Sequence, residues 1–139
     1  MLLLTFTHVS NDLLSLSAGS GYDLCSETKP LLTLIGGVSR RQMPDHILRN
    51  GTEVCIFDSK WKDLSDANNA DLNDLRQIFT YRNLWRANMI GLIYPTLEDR
   101  HRVEKGTFHN AYGDITGYLI WIPIDFKKWS KTGLSLTSL

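Results

Sequence analysis

The dipeptide Asn50-Gly51, set between His46-Ile47-Leu48 and Val54-Cys55-Ile56-Phe57, constrains this chain more than any other feature. Asn-Gly readily takes the positive φ of a tight hairpin turn, so the spacing predicts a short strand, a turn, and a longer strand running toward Lys62. Side chains on a strand alternate faces. Asp58 and Lys60 are therefore expected on one face with Ile56, and Cys55, Phe57 and Ser59 on the other. Pairing back across the turn brings Asp45, near the start of the first strand, toward Asp58, near the end of the second. Two carboxylates and an amine are expected to converge at a strand end, outside the core.

Such a cluster suits a hard divalent cation, because magnesium is commonly held by one or two carboxylates with waters and phosphate oxygens completing its shell. A lysine adds positive charge without competing as a ligand, and can orient or deprotonate an attacking water beside a phosphodiester. An isolated Asp-x-Lys carries little weight, since it occurs by chance in about half of chains this long. The order carries more: Pro44-Asp45, a strand, Asn50-Gly51, an apolar strand, Asp58-Ser59-Lys60, then a helix with its own polar pair.

At 139 residues the chain fits one domain, 1–139, with the patterned core at about 30–124. Basic and acidic residues balance at 15 each and the pI is near 6.9, so no global basic field advertises nucleic acid. Phosphate contacts must come from a local patch. Cys25 and Cys55 are too few for a disulfide framework, and Cys55 in an apolar strand reads as a buried thiol. The leading Met1-Leu2-Leu3-Leu4 breaks at Thr5 and lacks a basic flank, which supports neither a signal peptide nor a membrane span. A soluble, cytoplasmic protein is the expectation.

In chain order, Leu13, Leu14 and Leu16 behind Ser10 and Asn11 suggest a first helix. Pro30 marks a loop, Leu31 to Ile35 has the length of an apolar strand, and Gly36-Gly37 ends it. Arg40 and Arg41 form a basic pair suited equally to a solvated loop or a phosphate contact. Apolar residues from Leu72 to Trp85 recur at helical spacing, predicting an amphipathic helix over about 70–87. Asp71 and Asp74 at its start and Arg82 and Arg86 at its end match the helix dipole. Gln77 and Tyr81 lie one turn apart on one face, where the plainer expectation is a solvated amide and a core-margin ring. Met89 to Pro95 predicts a strand ended by the proline, and strand, helix, strand implies a parallel crossover. Residues 96–113 are polar and expected as loop; His101 and His109 lack zinc-ligand spacing. Gly117 to Ile124 predicts a last strand, at the sheet edge because of Pro123, before a frayed, lysine-bearing tail.

Together, Pro44-Asp45, Asp58-Ser59-Lys60 and Gln77 with Tyr81 resemble the PD-(D/E)xK nuclease superfamily, including the Q-x-x-x-Y helix motif of its RecB-like branch. More narrowly, Met43-Pro44-Asp45-His46-Ile47-Leu48, Phe57-Asp58-Ser59-Lys60-Trp61-Lys62, Asp74 through Tyr81, and Leu92-Ile93-Tyr94-Pro95 are similar to the nuclease half of the McrC family of 5-methylcytosine-dependent restriction systems. The resemblance implies an α/β (α+β) restriction-endonuclease-like core, a mixed central sheet flanked by helices. It also implies Asp45 and Asp58 as ligands of Mg2+ (or Mn2+), Lys60 as the catalytic lysine, and Gln77 and Tyr81 in support. DNA contacts would fall to Arg40, Arg41 and Lys62 among others. The implied partners are DNA and an AAA+ GTPase of the McrB type, with a homodimer as a further option and no membrane. Family members usually carry an acid in a helix ahead of the first strand, where this chain offers only Asp12, Asp23 and Glu27. That departure, and a length too short for the region that engages the GTPase, keeps an alternative in view: a catalytically weak DNA-binding or assembly module. A stand-alone nuclease of the RecB-like or junction-resolving kind would need a basic face around Arg40, Arg41, Lys62, Arg82 and Arg86.

Overall fold

A computed structural model describes residues 21–124. The helix expected around Leu13 to Leu16 and the lysine-bearing tail lie outside the described residues. The strands are β1 (Asp23–Cys25), β2 (Lys29–Thr33), β3 (Ser39–Gln42), β4 (His46–Asn50), β5 (Glu53–Ser59), β6 (Met89–Thr96), β7 (Arg102–Phe108) and β8 (Ile115–Pro123), with helix α1 at Leu72–Trp85. Six strands form one sheet in the order β1-β4-β5-β6-β8-β7, and β2 and β3 pair separately. The central pairs β5/β6 and β6/β8 are parallel, whereas β1/β4, β4/β5 and β7/β8 are antiparallel. This mixed sheet with a packed helix is compatible with a restriction-endonuclease-like α+β fold. Among the described residues no helix is long and apolar enough to cross a membrane.

The hairpin forms as its turn chemistry dictates, shifted by one residue. Asn50 closes the ladder opposite Glu53, and Gly51 opens the turn at φ +60°, a conformation that costs glycine little. From Glu53 the alternation sends Val54 and Ile56 to the face covered by α1, where they meet Ile78, Tyr81, Trp85, Ile90, Leu92 and Tyr94. Cys55 and Phe57 point to the opposite face and cluster with Leu48, Ile93, Ile120 and Ile122. Phe57 needs the glycine beside it: a Cβ on Gly91 would stand 2.8 Å from the Phe57 ring and 2.9 Å from the Tyr118 carbonyl. Helix α1 begins where Asp71 accepts a hydrogen bond from the Asn73 amide at 2.7 Å, and ends at Arg86 in the left-handed region. It links β5 to its parallel neighbour β6, as strand-helix-strand spacing predicts.

Several expectations are corrected. Residues 96–113 are not all loop: Arg102–Phe108 is an edge strand paired along its length with Ile115–Trp121. Its central residues are exposed, so no alternating apolar signal marked it. Strand β8 is consequently interior, between β6 and β7. Pro123 is tolerated because β7 pairing stops at Trp121. Strand β6 runs on through Pro95 to Thr96. The apolar run from Leu31 is no core strand either; β2 lies in the separate hairpin, with Leu31, Leu32, Leu34 and Ile35 exposed.

Candidate active site

The site forms where the start of β4, the end of β5 and the first turns of α1 meet. Pairing of His46 with Phe57 carries Asp45 opposite Asp58, and two further bonds stitch Asp45 to the end of β5. The Asp45 amide donates to Asp58 Oδ1 at 3.3 Å, and the Ser59 amide donates to Asp45 Oδ2 at 2.9 Å. The strand carries on for one more bond, from the Lys60 amide to the Ile93 carbonyl at 2.8 Å, which fixes where the Lys60 side chain leaves the sheet. Its Nζ lies 2.8 Å from Asp58 Oδ2 and donates to Gln77 Oε1. The Gln77 amide nitrogen in turn donates to the Tyr81 hydroxyl at 2.9 Å. Asp45, Asp58, Lys60, Gln77 and Tyr81 thus form one connected array. Gln77 is engaged rather than solvated, and Tyr81 is buried edge-on against Trp85.

One placement departs from expectation. Asp58 is 4 % exposed and so lies within the fold rather than at an open strand end. A buried carboxylate of this kind is held by the hydrogen bonds and the ammonium around it. Burial, and next the negative charge of Asp58, push the Asp45 carboxyl up from 3.8 to about 6. Burial pulls neighbouring His46 the other way, from 6.5 down to about 4, with Asp58 opposing in part; its Nε2 is 2.8 Å from Ser59 Oγ. Burial foremost, then Asp58, raise the Tyr81 hydroxyl to about 12, so it stays protonated near neutrality.

The shifts of Asp45 and His46 give opposite pH slopes. Asp45 binds its proton more tightly in the folded state, so its stabilising effect is present at low pH and lost as pH rises through about 6. His46 is buried neutral, so protonation of the unfolded chain erodes stability as pH falls from 6.5 toward about 4. The two partly cancel. In Asp45→Asn only the second remains, and denaturant titrations in metal-free buffer should show stability falling more steeply toward acid than in the wild type. The His46 share is about 3 kcal/mol over that interval. Parallel pH curves for the two proteins would contradict the assignment.

Arg40 and Arg41 are not brought into this array. They stand exposed on the separate β2–β3 hairpin, where Arg41 donates to the Thr28 hydroxyl and carbonyl at 3.0 and 3.1 Å. Lys62 lies beside the array, with its Nζ 2.7 Å from Asp74 Oδ2 and 3.5 Å from Asp71 Oδ2. Of the candidate upstream acids, Glu27 is committed to Arg49 through contacts of 2.6 and 2.7 Å and accepts from the Trp85 indole at 3.2 Å. Asp23 is an exposed residue of β1, and Asp12 lies outside the described residues. The acid that does reach the site is Asp74 on α1, with its Oδ1 3.8 Å from Lys60 Nζ. The sequence marks it as a dipole-matching charge and as the first residue of a block resembling McrC, with no role of its own. The missed signal is its helical position: with Ile78, Tyr81 and Trp85 it completes the buried stripe, where a carboxylate is out of place unless something pairs it.

Residues 22–95 match the family described as McrBC 5-methylcytosine restriction system component. The chain belongs to this family. The matched stretch runs from β1 to β6 and contains every residue of the connected array. In fold, this McrBC family chain is similar to a chain of the refined half-complex from a tetradecameric assembly of Thermococcus gammatolerans McrB AAA+ hexamers with bound McrC. The TM-score is 0.57 at 17 % identity, and the match covers 86 % of this chain and 27 % of that one. The chain therefore spans about a quarter of the length of its structural neighbour. No curated protein matches it.

Proposed function

We propose that this chain is a magnesium-dependent DNA endonuclease module, the cleavage element of a modification-dependent restriction system that works with an AAA+ GTPase of the McrB type. The observation that carries the reading is the placement of the Lys60 ammonium 2.8 Å from Asp58, with the Asp45 amide bonded to Asp58 and the Asp45 carboxylate bonded to the Ser59 amide. The donor set fits a divalent ion. Two carboxylates close enough for one to raise the other's proton affinity are a pair whose repulsion a cation relieves. Among the described residues no cluster of three or more His, Cys, Asp or Glu side chains is placed to hold a metal. The remaining positions would then fall to water and phosphate oxygens, as is usual for magnesium. Mg2+, or Mn2+ in its place, would supply Lewis-acid polarisation of the scissile phosphate and acidify a bound water.

The chain's own residues supply the rest. Asp45 and Asp58 would hold the ion, and Lys60 would place a positive charge beside the phosphate or orient the attacking water. Gln77, hydrogen-bonded to Lys60 and backed by Tyr81, would restrict where that amine sits. Lys62, half exposed, and Arg40 and Arg41 on their hairpin would meet the DNA backbone. The McrB AAA+ hexamers named for the structural neighbour support an AAA+ partner of the McrB type. The cytoplasm, where modified DNA and GTP coexist, would be the place of action.

Nicking of supercoiled plasmid tests this reading, using the purified chain and Asp58→Asn, with magnesium or with chelator, and with and without an McrB-type GTPase. Magnesium-dependent nicking lost in Asp58→Asn is the expected result. Nicking that survives the substitution, or none under any condition, overturns it. Absence of nicking with DNA binding retained would favour a DNA-binding or assembly module.

A further inference from the structure

We propose that Asp74 is a positioning residue that keeps the two amines of Lys60-Trp61-Lys62 apart, holding Lys62 outside the array so that Lys60 alone occupies the place beside Asp58. The proposal rests on the nuclease reading for its catalytic consequence, though the placement itself does not. Asp74 sits on the buried stripe of α1 and is 7 % exposed, yet both of its oxygens face lysines. Oδ2 takes Lys62 at 2.7 Å, and Oδ1 lies 3.8 Å from Lys60. Asp71, the helix cap, adds a second anchor for Lys62 at 3.5 Å.

The division of labour follows from chemistry. Lysine ammoniums are point charges on flexible stems, and the Asp58 carboxylate attracts either one. Lys60 and Lys62 leave the same strand end two residues apart, where the Lys62 amide turns back to the Lys60 carbonyl at 2.8 Å. Both can therefore reach the same neighbourhood. A carboxylate between them gives Lys62 a nearer partner. The competing role, a third metal ligand, is disfavoured by geometry: Asp74 forms no three-residue metal cluster with Asp45 and Asp58, and its oxygens face ammoniums.

The test compares Asp74→Asn, Asp74→Glu, Lys62→Met and the double variant Asp74→Asn/Lys62→Met. Asp74→Asn is expected to lower kcat about 10- to 100-fold through misplacement of Lys60, with KM within about twofold of wild type. Asp74→Glu should recover part of that loss. In the double variant the competing amine is gone, so its kcat should return to within about threefold of Lys62→Met alone, a non-additivity that marks coupled residues. A purely structural role predicts no such rescue. A double variant as slow as Asp74→Asn, or a loss carried by KM, overturns the proposal.

Placement is read separately by reductive methylation and mass spectrometry. In wild type, Lys62 should react well ahead of Lys60. Asp74→Asn should raise Lys60 modification relative to Lys62, and Asp74→Glu should not. An unchanged ratio in a folded Asp74→Asn chain overturns the proposal even where no variant cleaves DNA. Should Asp74→Asn fail to fold, Asp74→Glu is read in its place: a wild-type ratio of Lys60 to Lys62 modification supports the proposal, and a raised ratio overturns it.

Discussion

Lys60→Ala should cut magnesium-dependent cleavage by roughly 10²–10⁴-fold, the range expected for loss of a positioned proton-transfer or charge-stabilising group. The ammonium it removes lies between Asp58 at 2.8 Å and Asp74 at 3.8 Å, and bonds to Gln77. Its loss leaves Asp58 and Asp74 without that compensating charge, so a stability cost of about 1–3 kcal/mol should accompany the loss of activity. That cost is too small to unfold most of the chain, and circular dichroism of the variant should match the wild type. Lys60→Arg separates charge from placement, because a planar fork does not reproduce a point charge on a flexible stem. If Lys60→Arg cleaves like wild type, net charge alone matters. If Lys60→Ala does, the nuclease reading fails.

The second large effect belongs to the opposite face of the sheet. Phe57→Ala should destabilise the chain by about 3–5 kcal/mol, the usual cost of emptying a buried aromatic site. The ring is 6 % exposed, packs with Leu48, Ile93, Ile120 and Ile122, and lies over Gly91, so no side chain on its ladder partner can fill the gap. The unfolding midpoint in urea should fall with little change in slope. A midpoint within error of wild type would mean that the ring does not face the core. The contrast with Lys60→Ala is informative because the residues are three apart on one strand exit and act through different faces.

What could be read from the sequence follows where the signals are local. Gly51 and the alternation after it specify the hairpin, the register of Asp45 against Asp58, and the split of Ile56 from Phe57. The spacing of Ile78 and Trp85 specifies α1, and its length specifies the crossover to β6. The failures share a cause: they concern which neighbours an element meets. Leu31 and Leu32 look like core, but their hairpin pairs off by itself and leaves them exposed. Pro123 looks like an edge marker, and is one only for the partner that stops short of it. Asp74 looks like a surface charge because its helix position says nothing about two lysines arriving from a strand end twelve to fourteen residues earlier.

The polarity that hid β7 from its own sequence pattern has a use in the assembled sheet. An outer strand presents a row of backbone donors and acceptors to solvent, which is a template for a second chain to extend the sheet. Along β7 the exposed side chains include Glu104 and Lys105, with Gly106 weakening the strand beside them. Charged side chains on an edge strand are a common means of blunting that template, because a chain adding there has to strip water from them.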